Sequence, residues 1–138
     1  MLKAKLINSD IVSALAYCGH KDKVVIGSGN FPMYTKANPE AVKVNLALIP
    51  MVPTSSDIVR AIADMIPIEA AAVLRTENVE GPVEAHEEYK EALGMDLEVF
   101  NTPAELYERA AQPDVRLVIE SADIRPFSNI ILTIGCQR

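Results

Sequence analysis

The sequence predicts one α/β domain, residues 1–138, with a mixed and largely parallel sheet that helices cover on both faces. Its length of 138 residues suits a single domain, and 49% hydrophobic with 23% charged residues is ordinary globular usage. Short apolar runs alternate along the chain with amphipathic stretches. The runs are continuously apolar and rich in β-branched residues, which is typical of strands buried on both faces.

The N-terminal elements follow from caps and periodicity. Residues 10–18 are predicted as a helix, because Ser9 is a good N-cap and Gly19 lies just past the end. The run KVVIG that follows predicts a buried strand, and VKVNLALI, residues 42–49, predicts a second one. Residues 55–66 have apolar side chains at helical spacing behind a serine cap, Ser55 or Ser56.

The second half continues the alternation. IEAAAVL, residues 68–74, predicts a strand, and residues 82–93 predict a helix with Pro82 at its first position and Gly94 as its stop. Asn101 or Thr102 caps a further predicted helix. The remaining predicted strands are LEVF, VRLVIE and NIILTIG, at residues 97–100, 115–120 and 129–135.

Composition excludes several classes of function. With 13 basic and 19 acidic residues the formal charge is −6, so nucleic acid and anionic membrane are poor partners. No apolar run reaches the length of about 18 residues that spans a bilayer, and MLKAKLINSD lacks the apolar core of a secretion signal. These features predict a cytoplasmic protein. Cys18 and Cys136 have no metal-ligand spacing and are interpreted as unreactive thiols, with no metal and no disulfide.

His20 is the best candidate for proton chemistry. It is one of two histidines and lies between the first helix and the first strand, where it is either a proton carrier or a cation resting on the helix dipole. Asp22 either orients the imidazole or is a turn acid. The other histidine, His86, lies among glutamates and is predicted on a solvated helix face.

Two loops are predicted to build the site, residues 31–41 and 121–128, both long and both containing proline. GSGNFP, which precedes the first of them, allows close approach of the backbone but lacks the spacing of a phosphate loop. SADIRPFSN, residues 121–129, places an acid, an arginine, an aromatic ring and an amide between two strands. Such a loop suits either a small-ligand pocket or a solvated turn.

The segments NSDIVSAL, GHKD, NFP and PFSNIIL, in this order and spacing, resemble the ribose pyranase and fucose mutarotase family nearly from end to end. NFP and YERA are more similar to the fucose branch. The resemblance implies an α/β fold assembled into pentameric rings, commonly stacked as decamers. It also implies pockets that interconvert cyclic forms of a monosaccharide without a metal or other cofactor.

The resemblance assigns roles to particular residues. His20 matches the family's proton donor, and Phe127, Ser128 and Asn129 match the residues that hold the sugar. The chain departs from the family pattern at three places. Ser28 stands in place of an aspartate, Phe127 in place of a tyrosine, and Thr102 with Pro103 in place of an arginine or histidine that contacts sugar.

The leading hypothesis is therefore an isomerase acting on a fucose-like or related monosaccharide. His20 acts as acid and base with Asp22 orienting it, and Ser28, Ser128 and Asn129 contact the ligand beside an apolar wall formed by Phe127. The departures leave two alternatives. One is a ring protein that binds a sugar or small ligand without turnover, and the other is a purely structural ring.

Overall fold

The computed structural model describes every residue from Met1 to Arg138 and contains one six-stranded sheet and five helices. The helices are α1 (Ser9–Tyr17), α2 (Met33–Lys36), α3 (Ser55–Met65), α4 (Glu84–Leu93) and α5 (Pro103–Ala110). The strands are β1 (Lys23–Gly27), β2 (Val42–Asn45), β3 (Ile68–Leu74), β4 (Glu98–Phe100), β5 (Val115–Glu120) and β6 (Ile130–Ile134).

The sheet has the order β2-β5-β1-β6-β3-β4 and is mixed. Strand β6 runs antiparallel to both of its neighbours, whereas the pairs β1–β5, β2–β5 and β3–β4 are parallel. Strands β1 to β5 therefore share one direction, and β6 alone is reversed. We call the side of the sheet where β1 to β5 end the carboxyl edge, and the side where they begin the amino edge.

Helices cover both faces, as the sequence predicts. On one face α1, α3 and α4 pack on alternate strand residues such as Val24 and Ile26, with Ile11 and Ile62 fully buried. On the other face α2 and α5 pack around Val25 and its neighbours. The predicted fold class is confirmed, because the four inner strands β1, β3, β5 and β6 are mostly buried between helices. The edge strands β2 and β4 are largely exposed. None of the five helices is long and apolar enough to cross a membrane.

Helices α1, α3 and α4 do not begin at the residues that the sequence predicts. Asn8, not Ser9, caps α1 by accepting a hydrogen bond from the amide of Ile11. Thr54, not Ser55 or Ser56, caps α3, and its hydroxyl pairs with the Asp57 amide in a capping box. In both cases several capping residue types stand in a row, so composition alone does not select one. Similarly, α4 begins at Glu84, two residues after Pro82.

Two elements differ in length from the prediction. Strand β2 stops at Asn45 because the side chain of that residue accepts the amide hydrogen bond of Ala47 and turns the chain. The predicted loop 31–41 contains the short helix α2. Four residues are too few to show helical periodicity, and α2 is anchored by Met33, which is only 2% exposed.

Gly27, at the end of β1, allows Phe31 to pack against the backbone. A Cβ at this position would lie 2.6 Å from Cβ of Phe31. We therefore expect Gly27→Ala to lower the free energy of unfolding by about 1 to 3 kcal/mol, as overpacked core positions do. Chemical denaturation measures this, with Gly19→Ala as the control, since nothing lies within 4 Å of a Cβ there. Equal stability of the two variants would contradict the close packing.

Candidate functional site

The predicted site residues lie at opposite edges of the sheet. His20 and Asp22 precede β1 at the amino edge, whereas Ser28 follows β1 at the carboxyl edge. Phe127, Ser128 and Asn129 precede the reversed strand β6 and so also lie at the carboxyl edge. At about 3.3 Å per residue, five residues of strand separate the two groups by about 17 Å. A single chain therefore does not bring His20 to Ser28 and Asn129.

A tight turn between α1 and β1 presents His20 to solvent. The Gly19 carbonyl accepts the Asp22 amide hydrogen bond at 3.1 Å, and the Asp22 carboxylate accepts the Gly19 amide at 2.8 Å. Asp22 therefore closes the turn and does not bond the imidazole, in contrast to the predicted orienting contact. The reason is that an aspartate side chain bonds most easily to backbone groups two or three residues away, and the Gly19 amide lies within that range.

Glu69 is the partner of His20. The imidazole Nε2 lies 3.1 Å from both carboxylate oxygens of this residue, at the start of β3. An ionised carboxylate only accepts hydrogen bonds, so Nε2 carries the proton in this contact. The other ring nitrogen, Nδ1, makes no hydrogen bond within the chain and is therefore available to exchange a proton with a ligand.

Lys21 contacts the same carboxylate. Its ammonium lies 2.5 Å from Oε1 of Glu69, and the ammonium and His20 together hold the pKa of Glu69 below its ordinary value. Glu69 is thus ionised at neutral pH and bridges two neighbouring residues of the turn. Glu69 is the single charged residue in the apolar run IEAAAVL, and this isolated charge is the signal in the sequence that marks it.

His20 also borders a pocket of about 400 Å³ at the amino edge. The pocket lies between the end of α1, the end of α3 and the end of β6, with both cysteines, Cys18 and Cys136, in its lining. Cys18 is half-buried and donates to the Ala14 carbonyl, and burial raises the pKa of its thiol. The volume is within the range of small-ligand sites.

At the carboxyl edge, Ser28 and Asn129 are joined directly. The Asn129 side-chain oxygen accepts the Ser28 amide hydrogen bond at 2.7 Å, and the Ser28 hydroxyl accepts the Asn30 amide at 3.2 Å. The Asn129 Nδ2 group and the Ser28 hydroxyl hydrogen have no partner in the chain. These donors can bind the hydroxyl groups of a ligand.

Phe127 is held in a conformation that bulky residues rarely adopt. Its φ of 58° lies in the left-handed region. Two side chains of α4 fix the two peptide groups that follow it: His86 Nε2 donates to the Phe127 carbonyl at 2.8 Å, and Tyr89 Oη donates to the Ser128 carbonyl at 2.5 Å. The half-buried Phe127 ring is thereby oriented by the helix.

Ser128 and His86 are both buried, and for His86 this contradicts the predicted solvated face. Ser128 is 1% exposed, and its hydroxyl donates to the Arg125 carbonyl within the loop, whereas its contact with a ligand stays a prediction. His86 is 4% exposed and is not on a solvated face. The surrounding glutamates suggested solvent, but His86 and Tyr89 are three residues apart and share the buried side of α4.

An ion pair anchors the loop before β6. Arg125 donates to both oxygens of Asp123, at 3.0 and 2.8 Å, and to Glu88 at 2.9 Å. The Asp123 side chain is fully buried and also accepts the Ser55 amide at the start of α3. Burial alone would raise the pKa of Asp123, but the hydrogen bonds from Arg125 and Ser55 outweigh it and the pKa lies below its ordinary value.

Because the His86 imidazole is buried, we expect the stability of the protein to depend on pH. Burial lowers the pKa of His86 from its ordinary value of 6.5, although the bond to the Phe127 carbonyl opposes this. Below 6.5 the unfolded chain therefore binds more protons at this residue than the folded chain, and the free energy of unfolding falls as the pH is lowered.

Denaturation on either side of the ordinary histidine pKa tests this dependence. We expect the loss of stability on acidification to be smaller in His86→Gln, which retains a side-chain donor without the titration. His20→Gln, which removes an exposed imidazole, is the control and retains the loss. An identical pH dependence in wild type and His86→Gln would contradict the expectation.

No group of three or more His, Cys, Asp or Glu side chains is arranged to hold a metal ion. At the amino edge, the chemical groups around the site are the His20 imidazole, which is protonated at Nε2, the Glu69 carboxylate and the Lys21 ammonium. At the carboxyl edge it offers neutral donors and an aromatic wall. The first group can transfer protons, and the second can bind a polar ligand.

A protein-family model matches nearly the whole chain. The RbsD / FucU transport protein family model covers residues 1–137. A D-ribose pyranase of Pectobacterium atrosepticum is 31% identical over 143 residues, with 98% of each chain covered. A D-ribose pyranase of Chloroflexus aggregans is 30% identical over 139 residues, again with 98% of each chain covered.

Solved structures have the same fold. Bacillus subtilis RbsD complexed with D-ribose superposes with a TM-score of 0.82 at 22% identity and 100% coverage of both chains. The fucose mutarotase of Streptococcus pneumoniae in complex with L-fucose gives a TM-score of 0.82 at 17% identity, also with full coverage of both chains. The resemblance to a family with ribose and fucose branches is thereby confirmed, and the preference for the fucose branch stays a prediction.

Proposed function

This chain belongs to the RbsD / FucU transport protein family, and from that membership we propose that it is a cofactor-free isomerase that interconverts cyclic forms of a monosaccharide. The observation that carries the proposal is the state of His20. Glu69 holds the proton of Nε2, and Nδ1 is left without a partner beside an open pocket. We also propose that the protein is cytoplasmic and that residues 1–138 form a single functional domain.

The reaction needs only proton transfer. Protonated His20 donates from Nδ1 to the ring oxygen of the sugar, the bond between that oxygen and the anomeric carbon breaks, and the anomeric hydroxyl loses its proton to water. The product is the open-chain aldehyde. Reclosure runs the steps in reverse, either on the other face of the carbonyl or from a different hydroxyl. A positioned acid and base contributes about 10² to 10⁴ in rate.

The carboxyl edge supplies the sugar contacts in this proposal. Asn129 Nδ2 and the Ser28 hydroxyl donate to sugar hydroxyls, and the Phe127 ring packs on an apolar face of the ligand. A neutral serine in place of an aspartate makes a weaker bond than a carboxylate would, and phenylalanine lacks the tyrosine hydroxyl. We therefore propose a fucose-like or related sugar with fewer charge-assisted contacts than the family pattern provides.

The proposal needs two copies of the chain. His20 and Asn129 are about 17 Å apart along the sheet, farther than one monosaccharide extends. A site that contains both forms where the amino edge of one protomer meets the carboxyl edge of another. A closed ring repeats this heterologous contact around an axis, which is consistent with the proposed pentameric rings stacked as decamers.

Saturation-transfer NMR between the ring forms of D-ribose and of L-fucose tests the proposal. The protein is expected to accelerate exchange of at least one of the two sugars above the rate in buffer. Light scattering in the same buffer is expected to give an oligomer. Unchanged exchange for both sugars and for related monosaccharides would contradict the proposed reaction.

A sugar-binding protein without turnover is the second candidate. The observation that favours it is the neutral carboxyl edge, where Ser28 and Phe127 replace an acid and a phenol. It predicts that a sugar raises the thermal unfolding midpoint while its ring forms exchange at the rate in buffer. Acceleration of exchange excludes this candidate, and the absence of both effects would leave only the structural ring.

A further inference from the structure

Lys21 occupies an unusual place beside His20. Its backbone φ is 76°, in the left-handed region that favours glycine and asparagine over lysine. The turn is closed by Asp22 and by hydrogen bonds of the β1–β6 ladder, in which the Lys21 amide donates to the Ile134 carbonyl. Such strained residues are concentrated at functional sites, where the surrounding structure holds them in place.

The side chain of Lys21 shares one carboxylate with His20. Its ammonium lies 2.5 Å from Oε1 of Glu69, while His20 Nε2 lies 3.1 Å from both Oε1 and Oε2. A single negative charge is therefore divided between an imidazole and a permanent cation. The attraction that a full carboxylate exerts on a protonated imidazole is correspondingly reduced.

The other charged and titratable groups around His20 do not replace Lys21. Asp22 is engaged with the Gly19 amide, and Lys23 donates to the Lys21 carbonyl and lies 3.9 Å from Asp114. On the pocket side the titratable groups are the thiols of Cys18 and Cys136. Of the lysines, only Lys21 lies in ion-pair contact with Glu69.

We propose that Lys21 is a positioning residue of the His20 centre: its ammonium holds the Glu69 carboxylate in place and shares with His20 the negative charge that faces the imidazole. The inference rests on the proposed function for its role in catalysis. The sharing of the Glu69 carboxylate between Lys21 and His20 does not depend on a bound substrate.

NMR titration of the His20 ring protons tests this without any sugar. Only two histidines contribute signals, and His86→Gln assigns them. Lys21→Asn removes the cation but suits the left-handed backbone, and it is expected to raise the His20 titration midpoint by about half a pH unit. Lys21→Arg is expected to restore the wild-type midpoint. Lys90→Asn, which makes the same change of net charge on the exposed face of α4, is the control.

A His20 midpoint in Lys21→Asn that is unchanged from wild type, or lower, would overturn the inference. So would an equal rise in the Lys90→Asn control, because the effect would then come from net charge alone. If the protein proves active, the pH profile of exchange is expected to move with the midpoint. An inactive protein with the expected titrations contradicts the proposed function but leaves the role of Lys21 standing.

Discussion

Replacement of His20 by asparagine is expected to lower the catalysed rate of sugar ring exchange by about 10²- to 10⁴-fold, close to the rate in buffer. Asparagine makes hydrogen bonds but does not take up or release a proton near neutral pH. The reaction then depends on water alone for both proton transfers. Saturation-transfer NMR at fixed protein and sugar concentrations measures the loss.

Stability separates this loss from misfolding. The His20 side chain is 45% exposed and makes its only side-chain bonds to Glu69, so His20→Asn is expected to unfold at the wild-type denaturant concentration. Lys90→Asn is the activity control, because Lys90 lies on the exposed face of α4, where its ion-pair partner is Glu87. Retention of the full catalysed rate in a folded His20→Asn variant would contradict the proton-transfer role.

Replacement of Arg125 by methionine is expected to lower the free energy of unfolding by about 3 to 5 kcal/mol. The variant leaves the fully buried Asp123 carboxylate without its main partner, and Glu88 and Ser56 also lose a donor. An uncompensated buried charge is among the most destabilising changes in a folded chain. Urea denaturation near neutral pH gives the difference.

A double variant shows whether the cost comes from the unpaired charge. Asp123→Asn combined with Arg125→Met removes both charges and is expected to recover part of the stability lost in Arg125→Met. Arg116→Met, at an exposed position on β5, is the control and is expected to change stability by less than about 0.5 kcal/mol. Equal stability of Arg125→Met and Arg116→Met would contradict the anchoring role.

Most of the fold could be predicted from local patterns. Helix α3 is long enough to show a clear helical period, from which its buried face follows, and strands β1 and β5 are recognised as continuous apolar runs. Helix α2 was missed because it spans a single turn and is stabilised by the packing of Met33. Short elements of this kind depend on tertiary contacts that no local window contains.

The site could be predicted only as separate parts. His20 and Asn129 were identified by residue type and resemblance, but their separation by the length of a strand depends on the direction of β6. Glu69 is distant from His20 in sequence, and the pairing of the two arises because β3 begins where β1 begins. His86 was placed in solvent because its neighbours are acidic, whereas packing of α4 buries it.

The central claim is that His20 of one protomer and Asn129 of another act on the same sugar. Co-refolding equal amounts of His20→Asn and Asn129→Leu, each expected to be inactive alone, tests it by the recovered rate of ring exchange. Random mixing pairs two native edges at about a quarter of the sites, so we predict recovery of about a quarter of the wild-type rate. No recovery in a mixed oligomer of confirmed composition would contradict the shared site.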